Sequence, residues 1–228
     1  MNPVNLLMLL TLAALWGGSF LFMRVAGPVL GPFMTIELRV GIAAIALFLY
    51  AATVKHRFNI RQKWKEFLVI GAINAAIPFV LITTAELSLS SSLASILNAT
   101  TPIFTAIIAR FWLKEGFGPQ KILGLLAGVI GVMILVGWDP VPLTGKVLLS
   151  VSFSLIAAFF YGVAGIFSAK YLKGIKPIDL AIGQQTAAAI LLIPFAATNT
   201  PAVAPSATVI YAVLGLALFS TACGYLLY

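Results

Sequence analysis

Charge is scarce in this sequence. Only 9% of its 228 residues are charged, six acidic and fourteen basic, where an ordinary soluble domain carries about 25%. A water-soluble globule is therefore excluded, and the mean hydropathy of +1.10 points the same way. Histidine and cysteine occur once each. His56 lies in a polar connection and Cys223 inside the last apolar stretch, so no internal disulfide can form. No apolar stretch holds paired carboxylates suited to a metal, and the pattern G-x-x-x-x-G-K-[ST] of an ATP-binding loop is absent. Neither a metal nor a cofactor is expected.

Long apolar runs are what the chain has instead. Windows at 4–23, 33–53, 67–85, 89–109, 119–138, 147–169, 177–198 and 208–228 are each long enough to cross a hydrocarbon core of about 30 Å as a helix. Their hydrophobicity is continuous rather than alternating, which excludes a membrane barrel and predicts an all-α integral membrane protein of about eight transmembrane helices. The connections leave no room for a soluble domain. The first span has no basic segment before it and no small-residue cleavage site, so it reads as a retained helix rather than a signal peptide.

The net charge of +8 is a matter of topology rather than of nucleic acid. Lys55, Arg57, Arg61, Lys63 and Lys65, then Arg110, Lys114 and Lys121, then Lys170, Lys173 and Lys176 fill three connections, while the alternate connections hold Arg24 and Lys146. Lys- and Arg-rich connections stay in the cytoplasm, which places the N-terminus and Tyr228 on that side. The expected partners are the lipid bilayer and a small-molecule substrate, with no nucleic acid.

An internal repeat carries the next inference. Pro32 to Thr53 recurs 145 positions later as Pro177 to Thr198, with matches at Pro32/Pro177, Ala43/Ala188, Ala44/Ala189, Ile45/Ile190, Leu47/Leu192, Ala51/Ala196, Ala52/Ala197 and Thr53/Thr198. Trp16-Gly17 falls on Tyr161-Gly162 at the same offset. Five helices separate equivalent points, and five is odd, so the second copy enters the membrane from the opposite side. The expected division is a first repeat at 1–140 and a second at 146–228, the latter lacking counterparts of Thr84 to Gly145. Inverted pairs are a common architecture of secondary transporters, whose two halves exchange conformations about a central site.

The stretch from Ala85 to Glu115, with Ala94, Leu97, Asn98, Pro102, Phe104 and the helix end at Phe111 to Glu115, resembles the fourth helix of EamA-type members of the drug/metabolite transporter superfamily. Leu15-Trp16-Gly17 with Ser19-Phe20, Arg39, and Gly124 with Gly128 and Gly131 are similar to that family too. The resemblance implies ten helices in two repeats and export or exchange of small polar metabolites, commonly amino acids or their derivatives. It also implies that the chain ends before the last two helices, and a location in the cell membrane, the inner membrane if bacterial. A truncated, non-transporting remnant and a homodimer that supplies the missing contacts stand as alternatives. An intramembrane enzyme is a weaker one, since His56 is the sole histidine and lies in a connection; no catalytic residue is expected.

The candidate site residues are polar or aromatic groups set deep in the spans. Glu37 and Arg39 are the two formal charges well inside, each costing about 3 kcal/mol on insertion scales. They point about 200° apart on one helix and so belong to different surroundings. Arg39 either contacts an anionic substrate group or snorkels to the headgroups; Gln184 occupies its place in the second copy. Glu37 is the coupling candidate, or else meets water or caps a neighbouring helix. Asn74-x-x-x-Pro78 and Asn98-x-x-x-Pro102 each free an asparagine carbonyl in mid-helix, offering an amide and a backbone acceptor to a ligand or satisfying the kink themselves. Thr101 adds a hydroxyl beside Asn98, and Trp16 and Tyr161 are cavity candidates. Pro78, Pro102 and Pro194 are the expected kink positions. Gly124, Gly128 and Gly131 should give helix five a smooth face for close packing. Ser88, Ser90, Ser91, Ser92 and Ser95 should cap helix four, and Glu86 should sit in external water.

The charge pattern yields a direct check of orientation. Alkaline phosphatase, active only outside the cytoplasm, is expected to be silent when fused after Lys65 or Lys173 and active after Ser88 or Thr200. The reverse pattern would invert the topology.

Overall fold

The computed structural model describes residues 2–56, 58, 63–114, 116, 118–137, 142, 144–201 and 204–227. The expectations placed on Arg57, Arg61, Glu115 and Tyr228 lie outside them. Among these residues eight helices follow one another: α1 Pro3–Leu30, α2 Pro32–Thr53, α3 Trp64–Glu86, α4 Ser91–Trp112, α5 Pro119–Gly137, α6 Gly145–Tyr171, α7 Pro177–Thr198 and α8 Ala207–Leu227. No strand occurs among the described residues. Seven of the eight are long and apolar enough to cross a membrane, and the chain is a multi-pass membrane protein. The sequence windows counted about eight such helices. The difference is α5, whose described apolar stretch is Pro119–Leu135, about 25 Å of helix at 1.5 Å per residue.

Local chemistry sets the helix ends. Asn2 caps α1 by accepting from the Val4 N–H at 3.1 Å, with Pro3 at the first helical position. Gly31 takes φ +75°, a conformation glycine adopts without a Cβ penalty, and Pro32 starts the next helix at once. Ser90 caps α4 through the Leu93 N–H at 3.1 Å, the role expected of that serine cluster. Thr144 does the same for α6 with Val147 at 3.3 Å.

Three helices are not regular inside. α3 carries one π-helical turn at Ala72–Ala76, just before Pro78, and α8 is π-helical over Gly215–Cys223. α4 is interrupted between Asn98 and Thr101, one residue before Pro102. Of the expected kink positions, Pro102 thus follows a break in its helix and Pro78 a π-turn in a continuous one. At the third, α7 runs unbroken through Pro194, whose ring is exposed in the last turns of the helix.

The helices pack through small residues. α2 against α7 is the most extensive contact, and the largest core cluster joins α1, α2, α3, α4, α6, α7 and α8 through residues such as Met23, Ile36, Phe79, Ala157, Ala188 and Leu216. A Cβ on Gly162 would lie 2.9 Å from the backbone nitrogen of Thr105, so α4 and α6 touch there. A Cβ on Gly183 would lie 2.5 Å from the Phe67 ring. The glycines expected to make such contacts do not: a Cβ on Gly124 or Gly131 meets nothing within 4 Å, and on Gly128 only Ile103 at 3.9 Å. Glycine spacing gives a helix a smooth face, but α5 has little beside it to pack against.

Gly162→Ala forces a methyl group into backbone that cannot move aside, and should cost about 1–3 kcal/mol. Gly124→Ala and Gly131→Ala should stay within about 0.5 kcal/mol of the parent or exceed it. Unfolding in detergent, followed by tryptophan fluorescence, separates the two classes. Equal losses at all three would show that α5 is packed in the folded protein.

Candidate functional site

Where α2, α3, α4 and α7 bring their polar residues together, the structure holds a cavity of about 540 Å³, within the range of small-molecule sites. Trp16, Arg39, Asn74, Asn98, Thr101, Tyr161 and Gln184 all line it. These seven come from six helices, α1, α2, α3, α4, α6 and α7.

Arg39 is 3% exposed and does not snorkel. Its Nε donates to the Thr221 hydroxyl at 2.9 Å, one terminal nitrogen reaches the Met23 sulfur at 3.5 Å, and its Cζ stands 3.5 Å from the centroid of the Phe79 ring. Those inward partners offset part of the cost of burial, a desolvated cation over a ring being worth about 2 kcal/mol. Among the described residues no acidic side chain lines the cavity, and Arg39 is the one charged group on its wall.

The two asparagines differ in what they offer. Asn74 donates to the Gln184 side-chain oxygen at 3.0 Å, joining α3 to α7. The Asn98 carbonyl freed by Pro102 is taken by the Thr101 hydroxyl at 2.7 Å, so Thr101 stabilises the helix break from within. Ser19 and Thr105 likewise donate to carbonyls of their own helices, at 2.6 Å and 2.8 Å. With these hydroxyls engaged, the buried amide atoms of cavity-lining residues left without a partner among the described residues are an acceptor, Asn98 Oδ1, and a donor, Gln184 Nε2. Residues carrying a cation, an acceptor and a donor therefore border one space.

The walls are aromatic. Tyr161 sits edge-on to Phe79 at 6.3 Å between ring centroids, and Trp16 meets Tyr225 at 6.4 Å. Phe79, Tyr225, Met23 and Thr221 escaped the sequence reading. Of these, Thr221 left a signal, being half of the Ser220-Thr221 pair in an otherwise apolar span.

The cavity's two ends are unlike. One reaches Ser168, Ile175 and Pro177 at the α6–α7 connection, on the side of the Lys-rich segments. There His56 meets Asp179 at 2.6 Å and Lys63 donates to the Tyr171 carbonyl at 3.3 Å. The other end is shut by α1 against the α3–α4 turn: the Thr83 hydroxyl lies 3.2 Å from the Met23 sulfur, Ser91 donates to the Phe20 carbonyl at 3.2 Å, and Arg24 to the carbonyls of Glu86 and Leu89. Glu86 is accordingly 1% exposed, not in external water as expected; the turn folds back over α1 and encloses it. Glu37 stands apart from the cavity. Its Oε2 is buried and makes no hydrogen bond to the described residues, so it caps no neighbouring helix there.

Comparison with known proteins agrees with this architecture. A crystal structure superposes with a TM-score of 0.72 over 100% of this chain and 78% of that one at 16% identity, which shows a shared fold. The uncharacterized transporter YoaV of Bacillus subtilis is 25% identical over 82% of this chain. An uncharacterized transporter of Archaeoglobus fulgidus is 27% identical over 92% of it, and the match covers 74% of that relative. The chain spans 64% of YoaV's length. The EamA-like transporter family model matches residues 4–137 and again 148–228. On that double match, the chain belongs to the EamA-like transporter family.

Proposed function

We propose that this protein is a secondary transporter, an exporter or exchanger, of a small polar metabolite that carries an anionic group, such as an amino acid or a derivative. The observation that carries the reading is Arg39, a buried cation on a cavity wall that makes no ion pair and whose lining, among the described residues, holds no acidic side chain. Burying a charge without a carboxylate partner is costly, and a substrate anion would supply the missing counter-charge. The aromatic walls suit a substrate with an apolar body, and the amide groups of Asn98 and Gln184 suit its remaining polar atoms. Two repeats of inverted topology, 1–140 and 146–228, would expose the site alternately. In the structure the cavity reaches the α6–α7 connection on its Lys-rich side, while α1 packs on the α3–α4 turn at the other end. No enzymatic step is assigned: His56 is engaged with Asp179 at the rim.

Proteoliposomes with imposed gradients and a panel of radiolabelled metabolites, each carboxylate paired with its amide, test the reading. A carboxylate is expected to move and its amide to move at least tenfold more slowly. Arg39→Gln should lower kcat/KM for the carboxylate by about 2 kcal/mol, roughly thirtyfold, and leave the amide nearly unchanged. Transport of cations alone, or of nothing in the panel, would refute the reading.

Glu37 is the proposed coupling carboxylate. Glu37→Gln should abolish accumulation driven by a proton gradient while sparing counterflow exchange. Unchanged accumulation would remove Glu37 from the mechanism.

A further inference from the structure

The irregular turns of α3 and α8 fall at the same place in the two halves of the chain. Ala72–Ala76 carried forward by the 145-residue repeat offset becomes 217–221, inside the π-helical segment Gly215–Cys223. That offset also relates Arg39 on α2 to Gln184 on α7. Each of these side chains bonds across to the other half's irregular turn. Arg39 Nε donates to Thr221 on α8, and Gln184 Oε1 accepts from Asn74 on α3. The bonding residues are not themselves equivalent: Thr221 corresponds to Ala76, and Asn74 to Phe219. The crossing pattern is shared although its chemistry differs.

A π-turn widens the helix and shifts its hydrogen bonds from four residues to five. On α3 the Ile77 N–H accordingly bonds the Ala72 carbonyl, and on α8 the Thr221 hydroxyl donates to the Leu216 carbonyl five residues back at 2.8 Å. With its proton committed there, the Thr221 oxygen presents lone pairs to Arg39. Thr221 is fully buried, whereas Arg39, Asn74 and Gln184 line the cavity.

We propose that Thr221 and Asn74 are positioning residues for the cavity. Each is set on a π-turn and holds the polar side chain that the opposite half extends into it. Thr221 fixes the guanidinium flat against Phe79 with its terminal nitrogens turned to the cavity. Asn74 fixes the Gln184 oxygen and so turns the Gln184 amide nitrogen toward a ligand. The inference rests on the reading of the cavity as the transport site. It deepens that reading by assigning the aim of its two polar groups to residues outside the second and seventh helices.

The test reads Arg39 directly, through proton exchange of the arginine Nε–H groups in ¹⁵N spectra of the full chain in detergent. Arg39→Lys identifies the signal. Exchange is expected to quicken at least tenfold in Thr221→Val, to stay within twofold of the parent in Thr221→Ser, and to be unaffected by Ser220→Ala in the same turn. Asn74→Leu should move the Gln184 amide signals and leave Arg39 unchanged. In the transport assay Thr221→Val should raise KM for a carboxylate at least tenfold with kcat within twofold, and Thr221→Ser should restore it. Unchanged exchange in Thr221→Val, equal quickening in Ser220→Ala, or an unaltered KM would each overturn the proposal. If nothing moves even in the parent, the transport reading fails, and the spectra alone decide the positioning. Should Thr221→Val not fold, Thr221→Ala takes its place with the same expectations.

Discussion

In hydrocarbon a backbone carbonyl or a charge that loses its partner finds no water to replace it. The interior of this protein is arranged around that constraint. Prolines at 78 and 102 each remove a helical donor, and the chain answers differently at each. At Pro102 it breaks α4 and turns the Thr101 hydroxyl onto the Asn98 carbonyl. At Pro78 it widens α3 into a π-turn and keeps the helix continuous. Hydroxyls at Thr83 and Thr84 then bond the Phe79 and Val80 carbonyls in the following turn. Serine and threonine are thus structural in the first instance. What remains for a ligand is the smaller set of amide and guanidinium groups that the backbone does not claim.

The same constraint explains why Arg39 turns inward. Its cost at the membrane centre, about 3 kcal/mol on insertion scales, is offset by a hydroxyl, a thioether and an aromatic face, all brought by other helices. None of those partners is an anion. Its direct partners being neutral, the charge is left to act on the cavity, whose lining holds no acidic side chain among the described residues; Glu86, buried at the shut end, acts on it without a direct contact. Fold and site are therefore one problem: close approach of α3 and α7, allowed by Gly71 and Gly183, with α2 packed on α7 through alanines such as Ala43, Ala181 and Ala188, creates the buried place in which the charge is effective.

Much of this was legible in the sequence because the signals are strong and local. Continuous hydrophobicity located the helices, and polar or aromatic residues stranded in those runs located the cavity, since a polar group in lipid must face protein or water. The repeat added Tyr161 and Gln184 by their correspondence to Trp16 and Arg39. What stayed hidden depends on which helices are neighbours. Phe79 and Tyr225 look like ordinary apolar-span residues until α2 and α1 are placed beside them. Gly124 and Gly131 carry the spacing of a packing face, yet spacing describes one helix, while packing needs two. Glu86 looked solvated because a turn between spans is ordinarily wet; Arg24, reaching its carbonyl from α1, pulls that turn over the bundle.

The unlike ends of the cavity bear on how a ligand could be coupled to movement. A ligand shifts a conformational equilibrium only through a difference in affinity between the states. Met23 is the residue through which such a difference would arise here. Its sulfur accepts from Arg39 at the cavity, where a thioether is a weak acceptor, and touches the Thr83 hydroxyl at 3.2 Å at the shut end, the Thr83 proton going to the Phe79 carbonyl. A carboxylate at Arg39 would outcompete the sulfur for the guanidinium but not the Thr221 oxygen, whose bond lies on the far side of the group and is retained. Substrate would therefore detach α1 from α2 at Met23 while leaving α2 joined to α8. The shut end would then be held by Ser91 to Phe20, by Thr83, and by the partly exposed Arg24 on the carbonyls of Glu86 and Leu89. Those contacts are local to α1 and the α3–α4 turn, so opening that end would require movement of α1 against α3 and α4, remaking the core contacts of Phe20 and Met23 while the α2–α7 packing stays intact.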